Sequence, residues 1–334
     1  MLWIPLVPLA LLAVTSAVPH APPLVTPLAH TFSIVARDPK TGELGVAVQS
    51  HYFSVGPVVP WAEAGVGAVA TQSLVLVDYG PRGLDLMRAG MTAQQALDSL
   101  LRADPHSEGR QVAMVDAKGG VSVFTGRSCI PDAGHHAGAQ CSVQANLMAN
   151  DRIWSAMAKA YENATGDLAD RMLTALEAAQ TAGGDIRGRQ SAALVVVKAE
   201  SSGKPWADRR FDLRVEDSAE PLKELRRLVR LRRAYDLEDA GDNAISEKRP
   251  EDALRHYEEA MKLAPGVVEL QFWAAVSMYT NGRRQEALPL FRRVFAQEAR
   301  WVPLIERLPK AGLFPEDPKQ IAEVQAQATK GAKW

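Results

Sequence analysis

The chain has 334 residues, a near-balanced charge of 38 Lys and Arg against 39 Asp and Glu, and 47% apolar residues. That length exceeds one ordinary domain, and the composition is that of a globular protein, not a disordered or fibrous one. A net charge of −1 leaves no basic excess, which argues against nucleic acid as a partner.

Residues 2–18 carry no charge and are mostly Leu, Val, Ala and Pro. The run is short for a membrane span and is interrupted by Pro5 and Pro8, so it reads as a secretory leader. The small residues Thr15, Ser16 and Ala17 suit a signal peptidase, although the first basic residue is only Arg37. An uncleaved N-terminal anchor is the competing reading. Residues 1–30 are therefore expected to be a leader and a short pro-segment, and the protein to be periplasmic or secreted.

Residues 31–37 alternate in character, residues 38–43 supply turn chemistry, and residues 44–49 form the return strand of a hairpin. A small-residue buried strand follows at 65–71 and a helix at 79–89. A second helix starts at Thr92, where Thr92 and Gln95 make a capping box. Ala93, Ala96, Leu97 and Leu100 share one face of it. Residues 110–116 and 120–125 form a second hairpin. Helices at 150–163 and 167–180 come next, the latter with Leu168, Met172, Leu176 and Ala179 on one face. Strands at 191–198 and 211–215 complete an α+β order.

Past Pro221 the pattern is helical throughout, and residues 222–233 hold six Lys or Arg. Leu222, Leu225, Val229 and Ala234 fall on one side, so the run reads as a solvated amphipathic face before it reads as a polyanion site. A 34-residue period pairs Ala253 with Ala287 and Tyr257 with Phe291, the spacing of tetratricopeptide repeats. Gly241, Ala260 and Pro265 fill further places of that pattern. The expected division is 31–217 for the first domain and 222–330 for a helical domain that binds a protein or peptide.

The chemistry centres on Thr31. An N-terminal hydroxyl lies beside its own α-amine, which titrates near ~8 and can act as its base. A strand-edge threonine packed against a second sheet, or an inactive descendant of an enzyme fold, is the plain alternative. Asn146, between a strand and a helix, suits an oxyanion donor or a turn cap. Asp185, Arg187, Arg189, Gln190 and Ser191 precede a strand and can bind a substrate carboxylate or amide, or form a salt-bridged loop. Ser50, His51, Gln72, Ser73, Tyr79 and Arg82 are weaker candidates at strand ends. Cys129 and Cys141 are a disulfide candidate, with free thiols or a metal site beside His135 and His136 as alternatives. No nucleotide-binding or HExxH motif is present, so no cofactor and no metal is expected.

The stretches TFSIVARDPKTGELGVAVQS, VPWAEAGVGAVATQS, YGPRGLDLMRAG, QANLM and GGDIRGRQSAALVVV resemble the bacterial family catalogued as domain of unknown function 1028. The resemblance runs from about residue 31 to about residue 217. It implies an N-terminal-nucleophile (Ntn) hydrolase fold, a four-layer αββα sandwich, and a reaction class but no substrate; the substrate expected for that class is an amide-containing small molecule or peptide. Proteasome-type threonine enzymes place a lysine after the first hairpin, whereas residues 61–65 here are Trp-Ala-Glu-Ala-Gly. The α-amine of Thr31 would then be the base. His30 does not suit a signal peptidase, so exposing Thr31 needs a second cut at His30–Thr31. The competing reading is a non-catalytic binding protein of the same fold. Homo-oligomerisation is left open.

Overall fold

A computed structural model describes residues 28–328. The leader at residues 2–18 lies outside the described residues. The chain begins with a two-residue strand β1 (Leu28–Ala29), then the hairpin β2 (Thr31–Arg37) and β3 (Leu44–Ser50). Strands β4 (Pro60–Glu63) and β5 (Gly67–Leu74) lead to helices α1 (Tyr79–Arg88) and α2 (Ala93–Ala103). Strands β6 (Arg110–Asp116), β7 (Val121–Thr125), β8 (Gly134–Gly138) and β9 (Cys141–Ala145) precede helices α3 (Ile153–Asn163) and α4 (Leu168–Thr181). Strand β10 (Ser191–Val197), a short helix α5 (Pro205–Asp208) and strand β11 (Arg209–Val215) close the mixed part. Everything after is helical: α6 (Pro221–Ser246), α7 (Pro250–Leu263), α8 (Val268–Thr280), α9 (Arg284–Gln297) and α10 (Pro318–Gln325). The capping box at Thr92 and Gln95 forms as the spacing predicts.

The strands make two antiparallel sheets. One is ordered β1-β5-β6-β7, with β4 also on β5; the other is β11-β10-β3-β2-β9-β8. Period-two alternation gives each strand two faces. Val35, Val46, Val48, Ala70, Ala113 and Val195 face the space between the sheets. Phe32, Ile34 and Val143 face the other way, onto Met157, Leu173 and Leu176 of α3 and α4. On the second sheet Val69, Val112 and Met114 face α1 and α2 through Leu84, Leu97 and Leu100. The first domain is thus a mixed α/β unit of antiparallel sheets, followed by a helical region.

Helix α6 belongs to both parts. Leu222, Leu225 and Val229 in its first half join the core under α3 and α4. Arg226 pairs with Glu177, and Arg233 pairs with Asp167 and Asp170, which clamps this half to α4. Four of the six bases in the run, Arg226, Arg227, Arg232 and Arg233, thus form ion pairs above an apolar face. The second half of α6 packs on α7. At Gly241 an added Cβ would stand 2.5 Å from the Tyr257 ring, so only glycine lets the two helices close. The repeat residues Ala253, Tyr257, Ala287 and Phe291 are all buried in one helical core with Phe272 and Tyr279.

Candidate active site

The space between the sheets changes character along the strands. One end is filled by Val and Ala. At the other end the same inward positions carry Thr31, Ser33, Ser50, Gln72, Gln111, Gln144 and Asn146, each 0% exposed. Strand pairing sets this up: Thr31 lies opposite Ser50, Ser50 opposite Ser191, and the Asn146 backbone N–H donates to the Thr31 carbonyl at 3.1 Å. Polar ends of four strands thereby form one row.

Buried polar groups must be satisfied, and here they satisfy one another. The Ser33 hydroxyl donates to Gln72 Oε1 at 2.6 Å and accepts from Gln144 Nε2 at 2.6 Å. Gln72 Nε2 donates to Gln111 Oε1 at 2.7 Å and to the Thr31 carbonyl at 3.1 Å. Asn146 Nδ2 donates to Gln111 Oε1 at 2.8 Å. Gln111 Nε2 donates in turn to Thr125 Oγ1 and the Ala145 carbonyl, both at 2.9 Å.

Thr31 sits at the open edge of this network, with residues 28–30 still attached. Its hydroxyl donates to the Ala29 carbonyl at 2.7 Å and lies 3.2 Å from Ser50 Oγ. Strand β1 pairs with β5 at Ser73 and covers the site. The His30 carbonyl accepts two bonds: from the Ser50 hydroxyl at 2.6 Å and from Arg187 Nη2 at 2.7 Å. Arg187 is itself held by a fork, Nε to Asp185 Oδ1 at 3.0 Å and Nη2 to Asp185 Oδ2 at 2.6 Å. Asp185 has a fully buried side chain. His30 Nδ1 donates to Asn146 Oδ1 at 2.8 Å, and burial holds the imidazole below its ordinary pKa, so it is neutral at neutral pH. Ser73 and Leu147 flank the site with φ of 74° and 58°, a left-handed backbone that non-glycine residues seldom adopt and that gathers at functional sites.

The structure brings Thr31, Asn146, Asp185 and Arg187 together, with Ser50 and Gln72, but in a closed site and not in a cleft. Arg189 turns away to pair with Glu220. Gln190 contributes main-chain bonds to Ser50 and Ser218. The Ser191 hydroxyl donates to the Tyr52 carbonyl at 2.5 Å and accepts from the Val55 N–H, which fixes a loop. His51 meets Asp185 through its backbone N–H only. Tyr79 bonds Asp104 from α1, on the outer face of the five-stranded sheet, and exposed Arg82 lies on the same helix. His30, Gln111 and Gln144 are participants that sequence reasoning did not single out.

The disulfide expectation is corrected: Cys129 and Cys141 are both buried free thiols. Cys141 pairs with Ala36, at the far end of β2 from Thr31. Cys129 meets the Arg110 carbonyl, and Arg110 pairs with Ser73 at the near end. At ~3.3 Å per residue the two stand roughly 15 Å apart along the strands, where a disulfide needs Cα atoms within about 7 Å. Burial pushes the Cys141 thiol up to about 11. His135 bonds Thr125, and among the described residues no three His, Cys, Asp or Glu side chains gather as a metal site.

Comparison with known proteins gives the lineage. A tetratricopeptide-repeat family matches residues 244–308. The crystal structure of a DUF1028 protein from Silicibacter pomeroyi is similar at 27% identity and a TM-score of 0.54. The match covers 60% of this chain and 88% of that one. No functionally curated protein matches the sequence. The family of unknown function DUF1028 matches residues 31–225, more than half the chain, and the chain therefore belongs to that family.

Proposed function

We propose that this protein is an exported amide-bond hydrolase of the Ntn type, with an αββα first domain and Thr31 as its nucleophile once the His30–Thr31 bond is cut. One observation carries the reading. The His30 carbonyl is already held by the Ser50 hydroxyl and the Arg187 guanidinium, with the Thr31 hydroxyl on the adjoining residue. Donors placed where negative charge develops are the main source of rate in acyl transfer.

The step balances within the chain. Thr31 Oγ1 adds to the His30 carbonyl carbon, and the charge on that oxygen rests on Ser50 and Arg187. The Thr31 nitrogen then leaves as an α-amine, taking the hydroxyl proton, and His30 is carried as an ester on Thr31. Water hydrolyses the ester and releases residues up to His30. The freed amine becomes the base for the same hydroxyl in later turnovers. Departure of β1 opens the site to a substrate amide. The substrate carbonyl would take the place of the His30 carbonyl against Ser50 and Arg187, with Asn146 beside it.

Intact mass and N-terminal sequencing of the purified protein test this. The expected terminus is Thr-Phe-Ser-Ile-Val, and Thr31→Ala should stay uncut. A wild-type chain that keeps residues 28–30 after long incubation sinks the reading. It would favour the second one, a non-catalytic binding protein, which the pairing of β1 with β5 and the Thr31–Ala29 hydrogen bond support. The helical region is a protein-interaction module in either case, as such repeats generally are.

A further inference from the structure

The helical region contains a cavity remote from Thr31. It measures about 840 Å3 and lies between α6, α8 and the loop at residues 312–315. Its walls are of two kinds. Trp273, Leu313 and Phe314 supply apolar surface, and Leu313 is 51% exposed. Glu238, Asp239, Asp242 and Glu269 supply four carboxylates, and no Lys, Arg or His lines the cavity.

These acids, three on α6 and Glu269 on α8, differ from the other acids of α6. Glu224 pairs with Arg227 and Asp236 with Arg232, whereas none of the four has an ion-pair partner among the described residues. Two are held in place: Asp242 Oδ1 accepts from the Tyr257 hydroxyl at 2.6 Å, and Glu269 Oε2 from the Tyr235 hydroxyl at 2.8 Å. Glu238 is the exception. It lines the cavity, is only 7% exposed, and its Oε1 has no hydrogen-bond partner. A carboxylate buried in this way is costly until a cation reaches it. Burial and the neighbouring Asp242 and Glu269 push its pKa up to about 7, so without another cation it tends to take a proton.

We propose that this cavity docks a basic peptide segment, one Lys or Arg side chain reaching Glu238 and a neighbouring apolar residue resting on Trp273 and Leu313. The volume is that of a site for a short segment, not a single ion. The carboxylates do not converge as a metal site. Their sign excludes nucleic acid and an anionic lipid surface. The inference is independent of the Thr31 reading, since the cavity shares no residue with that site.

The test uses the full chain and a short fluorescein-labelled peptide of alternating lysine and leucine, read by anisotropy at low and high salt. The peptide should bind, weaken with salt, and lose about tenfold or more in affinity with Glu238→Gln. Trp273→Ala should also weaken it, and Asp98→Asn on α2 should leave it unchanged. Circular dichroism confirms folding of each variant. Equal binding by a serine–leucine peptide, or affinity unchanged by both Glu238→Gln and Trp273→Ala, would overturn the proposal. So would self-association of the chain that Glu238→Gln abolishes, because the occupant would then be a second copy.

Discussion

Two polar regions of this molecule are built on opposite terms. Between the sheets, Ser33, Gln72, Gln111, Gln144 and Asn146 are fully buried and satisfy one another. In the helical region Glu238 is buried and lacks a partner on Oε1, in an open cavity with no base on its walls. The bonds among these five close on one another, and the atoms left without a partner, His30 Nε2 and Ser73 Oγ, lie at the edge beside Thr31. An unsatisfied acid is held by the surrounding fold at a cost, and a ligand relieves it. On the proposed readings, the first region serves a bond within the chain and the second a segment outside it.

Arg187 separates the two regions most sharply. Arg187→Ala removes one of the two donors on the His30 carbonyl and should slow release of Thr31 by about 10²- to 10³-fold, timed by mass spectrometry. An unchanged rate would mean the carbonyl is not the reacting group. Next is Gln111→Ala, which takes the acceptor from one buried N–H of Gln72 Nε2 and one of Asn146 Nδ2, while Gln72 Nε2 keeps its bond to the Thr31 carbonyl. At about 1–3 kcal/mol for each orphaned group, urea unfolding should show a loss of roughly 2–5 kcal/mol. A near-neutral result would show that water enters the space between the sheets.

Smaller effects belong to the helical region. Ala253→Leu or Ala287→Leu should overpack the repeat core by ~1–3 kcal/mol. Because α6 is common to both cores, the first domain's transition should shift with it; two independent transitions would show that α6 uncouples them. The pH dependence has a definite sign. The folded state raises Glu238 from an ordinary 4.5 to about 7, so it binds the proton more tightly than the unfolded chain does. That contribution is therefore lost as pH rises from about 4.5 through about 7. Glu238→Gln should flatten this slope in the melting temperature, and an unaltered slope would place the titrating group elsewhere. Smallest of all, reductant should leave the melting temperature unchanged, since Cys129 and Cys141 are free.

Much of this was legible from pattern. The alternation at residues 31–37 matches β2 residue for residue, and the 34-residue period placed Ala253, Tyr257, Ala287 and Phe291 in one core. Thr31, Asn146, Asp185 and Arg187 were marked by residue type at strand ends. Gln111 lies in no motif, and Gln144 opens the stretch QANLM, where residue type alone points to Asn146. A signal existed: both share strand parity with inward residues, Gln111 with Ala113 and Val115, and Gln144 with Ser142 and Asn146. Strand β8, Gly-His-His-Ala-Gly, lacks the β-branched residues that announce a strand.

What the sequence alone determined is local. Periodicity chose helix or strand and fixed which face of each is buried, because those depend on neighbours a few residues away. The tertiary structure decided which polar ends meet. Arg187 reaches the carbonyl of His30 across 157 residues of chain, because β3, β2 and β10 lie side by side in one sheet. The two cysteines, only 12 positions apart, are separated by the same sheet geometry. Strand pairing, not sequence distance, sets proximity, and the free energy that selects the pairing comes from burying both sheet faces at once.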